Sequence, residues 1–180
     1  MGSYVKIIKV VKYSLKYGGM KSCRIPYYPT KWDIVKKILE IYTPRPNERI
    51  LELGCGDARV IRSIAMKYDD ILATGVEINP ILVNEASKRV YRDGISDRVD
   101  IIRGDLFKFP INEYDTIYAY LTKEALFRLK DKFNSFLRNG GKIIALDFKI
   151  PGIKPSQSEI VDVSGKRHIL YLYHPRFKKI

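Results

Sequence analysis

The stretch that decides the fold reads Leu51-Glu52-Leu53-Gly54-Cys55-Gly56-Asp57-Ala58-Arg59. Its apolar residues predict a buried strand over Arg49–Leu53, and the segment after the second glycine predicts a helix over Ala58–Tyr68. In open α/β sheets, ligands bind at the carboxyl ends of the strands. Glycines let the backbone approach a ligand closely, and the N-terminus of a helix offers free N–H groups. We therefore expect a ligand site at Gly54 and Gly56.

Short apolar segments and amphipathic helices alternate along the rest of the chain. One helix has clear end signals, because Asn79 is a good N-cap, Pro80 suits the first helical position and Gly94 favours termination. The alternation predicts an α/β fold, with a doubly wound and mostly parallel sheet and helices on both faces. Two closing segments around Ser164-Gly165-Lys166 predict an antiparallel hairpin at one edge. The predicted strands are Ile71–Val76, Val99–Arg103, Asp115–Leu121, Lys142–Phe148, about 158–163 and about 168–173, and a further helix covers Lys123–Leu137.

Two segments precede this alternating pattern. Residues 4–17 have apolar positions at helical spacing among lysines, which predicts a short basic amphipathic helix. We assign residues 1–24 to a basic N-terminal extension and residues 25–180 to a single domain. Thr30 is predicted to be the N-cap of the next helix, with Asp33 at the N3 position of a capping arrangement.

The chain is strongly basic, with a net charge of +13. The first 25 residues contain six basic side chains and no acidic one. Such a surface attracts nucleic acid, anionic lipid or acidic protein faces, although a well-solvated lysine-rich surface is the alternative. No apolar run approaches the roughly 18–20 residues of a membrane span, and no secretory signal is evident. We expect a monomeric cytoplasmic protein.

The cysteines and histidines do not form a metal-binding pattern. The chain has two of each, Cys23, Cys55, His168 and His174, and their spacing matches neither a zinc-ligand set nor a disulfide framework. We therefore predict no metal site.

A carboxylate follows the second predicted strand, where a nucleoside would lie. Glu77 is 21 residues beyond Gly56 and is well placed to accept hydrogen bonds from the two hydroxyls of a ribose. The dinucleotide fingerprint G-x-G-x-x-G would need its third glycine at Arg59. Glu52 and Asp57 also make the loop acidic, which suits a ligand with an ammonium and a sulfonium rather than a pyrophosphate. The pattern favours S-adenosylmethionine, with S-adenosylhomocysteine as product; a turn that serves only strand–helix geometry remains the alternative.

Gly104-Asp105-Leu106 follows the third predicted strand. In class I methyltransferases, which the glycine motif resembles, an Asp at this point faces the exocyclic amine of adenine, and the next backbone N–H faces a ring nitrogen. An ordinary turn Asp is the alternative. The ordered series of Glu52, the two glycines, Glu77 and Asp105 at the ends of three successive strands favours the cofactor site.

The segment after the fourth predicted strand normally determines the methyl acceptor. It reads Tyr118-Ala119-Tyr120-Leu121-Thr122, which is not the Asn/Asp-Pro-Pro-aromatic motif that holds a planar amino group. No cysteine lies where a base-methylating nucleophile is expected. Direct transfer to an amine, a hydroxyl or a similar acceptor remains, and it needs mainly in-line placement. The two tyrosines could stabilise a cation through their ring faces, or serve only as core or wall residues.

Three stretches together resemble one family. Pro26-Tyr27-Tyr28-Pro29-Thr30, the stretch Leu51–Arg59 and Gly75-Val76-Glu77-Ile78-Asn79 resemble the archaeal broad-specificity protein-lysine methyltransferases, and they are similar to the mitochondrial lysine-methylating relatives of eukaryotes. The likeness runs from about residue 25 to the closing hairpin. Ala58 departs from the glycine that is commoner in the family at this position, and the basic leader lies outside the matched pattern.

The resemblance implies an S-adenosylmethionine-dependent enzyme that methylates the ε-amine of protein lysines by direct displacement, with proteins that carry exposed lysines as partners. An RNA or small-molecule methyltransferase and a non-catalytic cofactor-binding protein are the alternatives. Lysine has a pKa of about 10.4 and must lose a proton before it attacks, and we assign Tyr120 a catalytic part in that loss. The implied cofactor-binding residues are Tyr28, Thr30, Glu52, Gly54, Gly56, Asp57, Glu77, Ile78, Asp105, Leu106 and Tyr120.

Overall fold

The computed structural model describes residues 27–175, and these residues form one seven-stranded sheet with four α-helices. The predicted basic helix over residues 4–17 and the predicted boundary after residue 24 lie outside the described residues. The strands are β1 (Arg49–Leu53), β2 (Leu72–Glu77), β3 (Val99–Arg103), β4 (Thr116–Ala119), β5 (Lys142–Leu146), β6 (Gln157–Val163) and β7 (Lys166–Tyr173). The helices are α1 (Trp32–Ile41), α2 (Arg59–Lys67), α3 (Pro80–Arg92) and α4 (Lys123–Arg138).

The strands lie in the order β3-β2-β1-β4-β5-β7-β6. The first five of them pair in parallel, whereas β7 pairs antiparallel with both β5 and β6. This arrangement confirms the predicted doubly wound sheet and its antiparallel hairpin. The strand order reverses between β1 and β4, and a reversal of this kind opens a crevice at the carboxyl ends of the strands.

Helices cover both faces of the sheet, because the central strands are apolar on both sides. One face packs against α1, α2 and α3, for example through Ile38, Ile61 and Val90. The other face packs against α4, through a row that includes Leu129 and Phe133. These two layers hold the carboxyl ends of β1, β2 and β4 level with one another.

The prediction that Thr30 caps α1 is wrong. The N-cap is Lys31, which makes no side-chain capping bond, and the Thr30 hydroxyl instead hydrogen-bonds the Tyr118 hydroxyl at 3.0 Å. Thr30 is buried, so its hydroxyl is used to fix the chain against the sheet. The other predicted start is confirmed, since Asn79 caps α3 by accepting a hydrogen bond from the Ile81 N–H at 2.9 Å.

Two strands are shorter than predicted, each for a local reason. β4 ends at Ala119 rather than Leu121, because Tyr120 and Leu121 turn into a cavity beyond the sheet. β5 ends at Leu146 rather than Phe148, because Asp147 has φ +65°, which is incompatible with a continuing strand.

Glu48 joins the amino ends of three strands, on the side of the sheet opposite this cavity. It is buried, and its carboxylate accepts hydrogen bonds from the Tyr42 hydroxyl, the Arg45 N–H and the Thr116 hydroxyl and pairs with Lys142. Burial alone would raise the pKa of Glu48, but these donors outweigh it and lower the pKa to about 2. The ionised carboxylate therefore stabilises the junction of β1, β4 and β5.

We expect Glu48→Gln to lower the free energy of unfolding by about 3 kcal/mol at pH 7, because it leaves the donors and Lys142 without their charged partner. The pKa of Glu48 is about 2 in the folded chain against 4.5 as the ordinary value. Its contribution is therefore complete above pH 4.5 and is lost as the pH falls towards 2. In urea titrations, the difference between wild type and variant should shrink by roughly half between pH 7 and pH 3.

Glu40→Gln provides the matched control, because Glu40 is an exposed carboxylate of α1 paired only with Lys37 among the described residues. Its effect should stay within about 0.5 kcal/mol at both pH values. A difference for Glu48→Gln that did not change with pH would contradict this account.

Candidate functional site

A cavity of about 500 Å³ lies at the carboxyl ends of β1, β2, β3 and β4, within the usual size range of small-molecule sites. Residues 27–30 cover one side of it. Of the eleven residues predicted at the cofactor site, ten line this cavity, and Gly56 lies directly beneath the cover. The lining set is Tyr28, Thr30, Glu52, Gly54, Asp57, Glu77, Ile78, Asp105, Leu106 and Tyr120.

The turn after β1 requires both of its glycines. Gly54 and Gly56 have φ of +71° and +54°, in the left-handed region. A Cβ on Gly56 would lie 2.3 Å from the Tyr27 ring, and a Cβ on Gly54 would lie 3.2 Å from Leu121. The turn is held to the next strand, since Gly54 and Cys55 donate their N–H groups to the Val76 carbonyl at 2.8 and 3.0 Å.

Ala58 ends this turn and is the N-cap of α2, in the left-handed conformation with φ 57°. An L-residue pays roughly 1–2 kcal/mol there, which explains why glycine is a natural alternative. Ala58 is fully buried, so the packing of its methyl group offsets part of that cost.

Glu77 closes the turn from the end of β2. One carboxylate oxygen accepts the Gly56 N–H at 3.1 Å, and the other accepts the Asn79 N–H at 2.8 Å. A carboxylate has about four acceptor positions, so two backbone donors leave capacity for a diol. Glu77 is only half-buried and lines the cavity.

The two acidic residues of the turn have different environments. Glu52 is 4% exposed, and burial raises its pKa to about 8. A hydrogen bond from the Ile61 N–H favours the carboxylate, but it offsets only part of the effect of burial. Asp57 pairs with Arg59 and Arg89, each at 2.7 Å, and these partners outweigh burial and hold its pKa below the ordinary value. The loop is therefore less acidic than its sequence indicates, because two arginines compensate Asp57 and burial favours the protonated form of Glu52.

Asp105 and Leu106 follow β3 and line the cavity. The Asp105 carboxylate accepts the Phe107 N–H at 2.9 Å and so also shapes the turn. Lys132 of α4 donates hydrogen bonds to the carbonyls of Phe107 and Phe109, which ties the loop after β3 to α4. The loop that faces the cavity is thus held at both ends.

The cover formed by residues 27–30 is anchored by Arg59. Its guanidinium donates to the Thr30 carbonyl at 3.1 Å, pairs with Asp57 and lies 5.2 Å from the Trp32 ring centre. Tyr28 in this segment is 69% exposed at the mouth of the cavity. One arginine therefore connects the glycine turn, the cover and the start of α1.

The two tyrosines after β4 have separate positions. Tyr118 is fully buried and holds Thr30, so it is a core residue, one of the alternatives considered for the pair. Tyr120 is half-buried in the cavity wall, and burial and the neighbouring Asp147 carboxylate raise its pKa to about 12. Its hydroxyl keeps its proton at neutral pH and can act there as a hydrogen-bonding group.

Sequence reasoning missed several residues of this site. Arg59 carried one signal, since it stands two positions after Asp57 and an arginine there can pair with it. Arg89 carried none, because only the packing of α3 beside α2 brings it to Asp57. Further lining residues missed by the prediction are Tyr27, Asn79, Leu82, Phe107 and Leu121.

Two features are absent from residues 27–175, and both absences bear on the class of site. No group of three or more His, Cys, Asp and Glu side chains in that range could hold a metal ion. No helix there is both long enough and apolar enough to cross a membrane.

Comparisons with known proteins agree on the class of the site. A sequence model of the ANTKMT methyltransferase domain matches residues 52–157. A protein-lysine N-methyltransferase of Saccharolobus islandicus is 31% identical over 149 residues, which cover 83% of this chain and 92% of that protein. An adenine nucleotide translocase lysine N-methyltransferase of Mus musculus is 29% identical over 73% of this chain, which spans 57% of that longer protein.

A solved structure shares the fold. An RNA methyltransferase from Salinibacter ruber, in complex with S-adenosyl-L-homocysteine, superposes with a TM-score of 0.69 at 24% identity. The match covers 85% of this chain and 98% of that one.

We expect Arg59→Ala to raise the dissociation constant of S-adenosylhomocysteine about tenfold, because the unanchored cover must then be ordered on binding. Isothermal titration calorimetry measures this directly. Arg92→Ala is the control, since Arg92 is an exposed arginine of α3 that pairs loosely with Glu85. Equal affinities for wild type and Arg59→Ala would show that the cover does not contribute to binding.

Proposed function

This chain belongs to the family of ANTKMT methyltransferase domains, and from that premise we propose that its methyl acceptor is the ε-amine of lysines in proteins. The enzyme is an S-adenosylmethionine-dependent methyltransferase. The main support for lysine as the acceptor is the sequence similarity to an archaeal protein-lysine N-methyltransferase, which extends over 92% of that protein.

The cavity suits S-adenosylmethionine by its donors, acceptors and shape. A Cβ on Gly56 would overlap the Tyr27 ring and a Cβ on Gly54 would crowd Leu121, and Glu77 keeps free acceptor capacity for the ribose hydroxyls. In this proposal Asp105 and Leu106 face the adenine, and Glu52 faces the ammonium of the methionine part. When bound, the cofactor supplies a methyl group on a positively charged sulfur.

The residues around the mouth fit an amine that must lose a proton. Tyr28 and Tyr120 give the mouth an aromatic wall, and an apolar wall near a positive sulfonium lowers the pKa of a lysine from about 10.4. Tyr120 keeps its own proton, so its proposed catalytic part is to hold the amine rather than to act as a phenolate base. The amine proton then leaves to water.

The proposed partners are proteins with exposed lysines. Nucleic acid is the second candidate, on the strength of the net charge of +13. The monomeric state, the cytoplasmic location and the basic extension over residues 1–24 remain predictions from the sequence.

The acceptor class is tested by incubating the enzyme with S-adenosylmethionine labelled in the methyl group and with a mixture of cell proteins, RNA and small molecules. We expect label in the protein fraction, and in ε-methyl-lysine after acid hydrolysis. Glu77→Ala is the matched inactive variant, because the change removes the carboxylate that closes the turn and faces the cavity without altering the core.

Label in RNA or in the low-mass fraction would replace lysine with that acceptor. Tight cofactor binding by the wild type without label in any fraction would instead favour a binding protein. Each of these outcomes contradicts the proposed acceptor.

Glu52 predicts a pH dependence of cofactor affinity. Its pKa of about 8 keeps it largely protonated at pH 7 in the free enzyme, whereas a bound ammonium favours the carboxylate. Binding should therefore release a proton, and the affinity for S-adenosylhomocysteine should rise about tenfold from pH 6 to pH 7.5. Calorimetry in buffers of different ionisation enthalpy measures the released proton.

Glu52→Gln should bind more weakly and without proton release, since no carboxyl group then titrates at this position. If wild type and variant released the same number of protons, Glu52 would not be the group that faces the ammonium.

A further inference from the structure

A cluster of three polar residues lies at the carboxyl ends of β4 and β5, next to the cavity. It consists of Tyr120, which directly follows β4, Asp147, which directly follows β5, and His168 of β7. We call these three residues the Asp147 cluster. Because β5 lies between β4 and β7 in the sheet, residues far apart in sequence come together here. Tyr120 is the member that lines the cavity.

Asp147 is fixed from several sides. Its carboxylate accepts hydrogen bonds from His168 Nδ1, 3.0 Å from each oxygen, and from the Ile169 N–H at 3.3 Å. Its own N–H donates to the Ile169 carbonyl at 2.8 Å, and its φ of +65° turns the backbone out of the strand. The sheet pairs Ala119 with Ala145, so Tyr120 and Asp147 follow at adjoining strand ends, and the Asp147 carboxylate contributes to the raised pKa of the Tyr120 hydroxyl.

The charge of Asp147 is not compensated in the way that other carboxylates of this chain are. Asp57 has two arginine partners and Glu48 has Lys142, whereas no Lys or Arg of residues 27–175 pairs with Asp147. The ammonium of nearby Lys149 lies over the Tyr171 ring instead.

His168 binds Asp147 through one ring nitrogen. The ring is 3% exposed, and its Nε2 has no hydrogen-bond partner in the described chain. A proton on Nε2 would be a buried donor without an acceptor, which is costly, so the Nδ1–H is the group that donates to Asp147. Asp147 is thus rigidly held next to Tyr120 of the cavity wall, and its side chain is 19% exposed.

We infer that Asp147 selects a cationic acceptor and positions it through Tyr120. The inference rests on the proposed function and assigns the residue that recognises the lysine. The carboxylate attracts the ammonium into the mouth. In this arrangement the Tyr120 hydroxyl directs its proton towards Asp147, and its oxygen lone pairs accept an N–H from the acceptor nitrogen. Asp147 is a positioning residue, and Tyr120 is the residue that touches the acceptor.

The binding test uses a peptide taken from a protein labelled by the enzyme, and the same peptide with norleucine in place of the target lysine. Norleucine keeps the carbon chain and lacks the amine. Both peptides are titrated in the presence of S-adenosylhomocysteine, so that no turnover occurs. We expect wild type to prefer the lysine peptide, and Asp147→Asn to reduce that preference by on the order of tenfold.

Asp147→Asn is suited to this test because asparagine has the same shape and also tolerates a left-handed backbone. Asp162→Asn is the control, since it removes one negative charge from an exposed site of β6 where Asp162 pairs with Arg167. The control should keep the full preference, and both variants should bind S-adenosylhomocysteine as wild type does.

Turnover provides an independent test that does not rely on the peptide affinities. Tyr120→Phe should lower kcat, and adding Asp147→Asn should lower kcat little further, because Asp147 acts on the nitrogen through Tyr120. The increase of KM caused by Asp147→Asn should persist in the Tyr120→Phe background, because it arises from charge. Fully additive losses of kcat would overturn the positioning role.

The outcomes separate this inference from the proposed function. Methylation of lysine by wild type, together with an unchanged lysine preference in Asp147→Asn, overturns the role of Asp147 and leaves the acceptor class standing. Absence of label in any lysine overturns the proposed acceptor and this inference with it. If Asp147→Asn also loses S-adenosylhomocysteine affinity, Asp147 supports the cofactor site and the selective role is overturned.

Discussion

The close contact between the turn after β1 and the end of β2 is the constraint on which the rest of the site depends. Gly54 and Cys55 donate to the Val76 carbonyl, and Gly56 donates to Glu77. The contact is so tight that a Cβ on Gly75 would lie 2.7 Å from the sulfur of Cys55. The turn is therefore pressed onto the neighbouring strand, and the floor of the cavity is backbone rather than side chain.

This contact also directs the charges around the cavity. The first turn of α2 starts above the sheet, where Arg59 reaches back to Asp57 and to the Thr30 carbonyl. Arg89 of α3 completes the pair with Asp57. The positive side chains therefore hold the cover and the helices in place. In the described part of the chain, no Lys or Arg pairs with the lining carboxylates Glu52, Glu77 and Asp105 or with Asp147 beside Tyr120. A cationic cofactor and a cationic acceptor both suit that balance.

Local sequence patterns could predict the glycine turn and the strand end beside it. The turn at Gly54 and Gly56, the end of β2 at Glu77 and the cap at Asn79 depend on neighbours within a few residues, and spacing alone places them at one sheet edge. Thr30 shows the limit of such reasoning. Its sequence context favours an N-cap, but its hydroxyl forms a hydrogen bond with the Tyr118 hydroxyl, 88 residues further along the chain. This tertiary hydrogen bond replaces the local capping bond.

The residues proposed to bind the acceptor are assembled differently, which is why no sequence motif contains them. Tyr120, Asp147 and His168 stand on three strands that become neighbours only through the order β4-β5-β7, and the last of these runs antiparallel. His168 was considered in the sequence only as a metal ligand, although its partner turned out to be a carboxylate. Asp147 directly after β5 was a signal in the sequence that could have indicated a site residue, because ligands bind at the carboxyl ends of strands in sheets of this kind. Under the proposed roles, changes at the ends of β5 and β7 alter acceptor binding and leave the glycine turn unchanged, because the turn is hydrogen-bonded to β2.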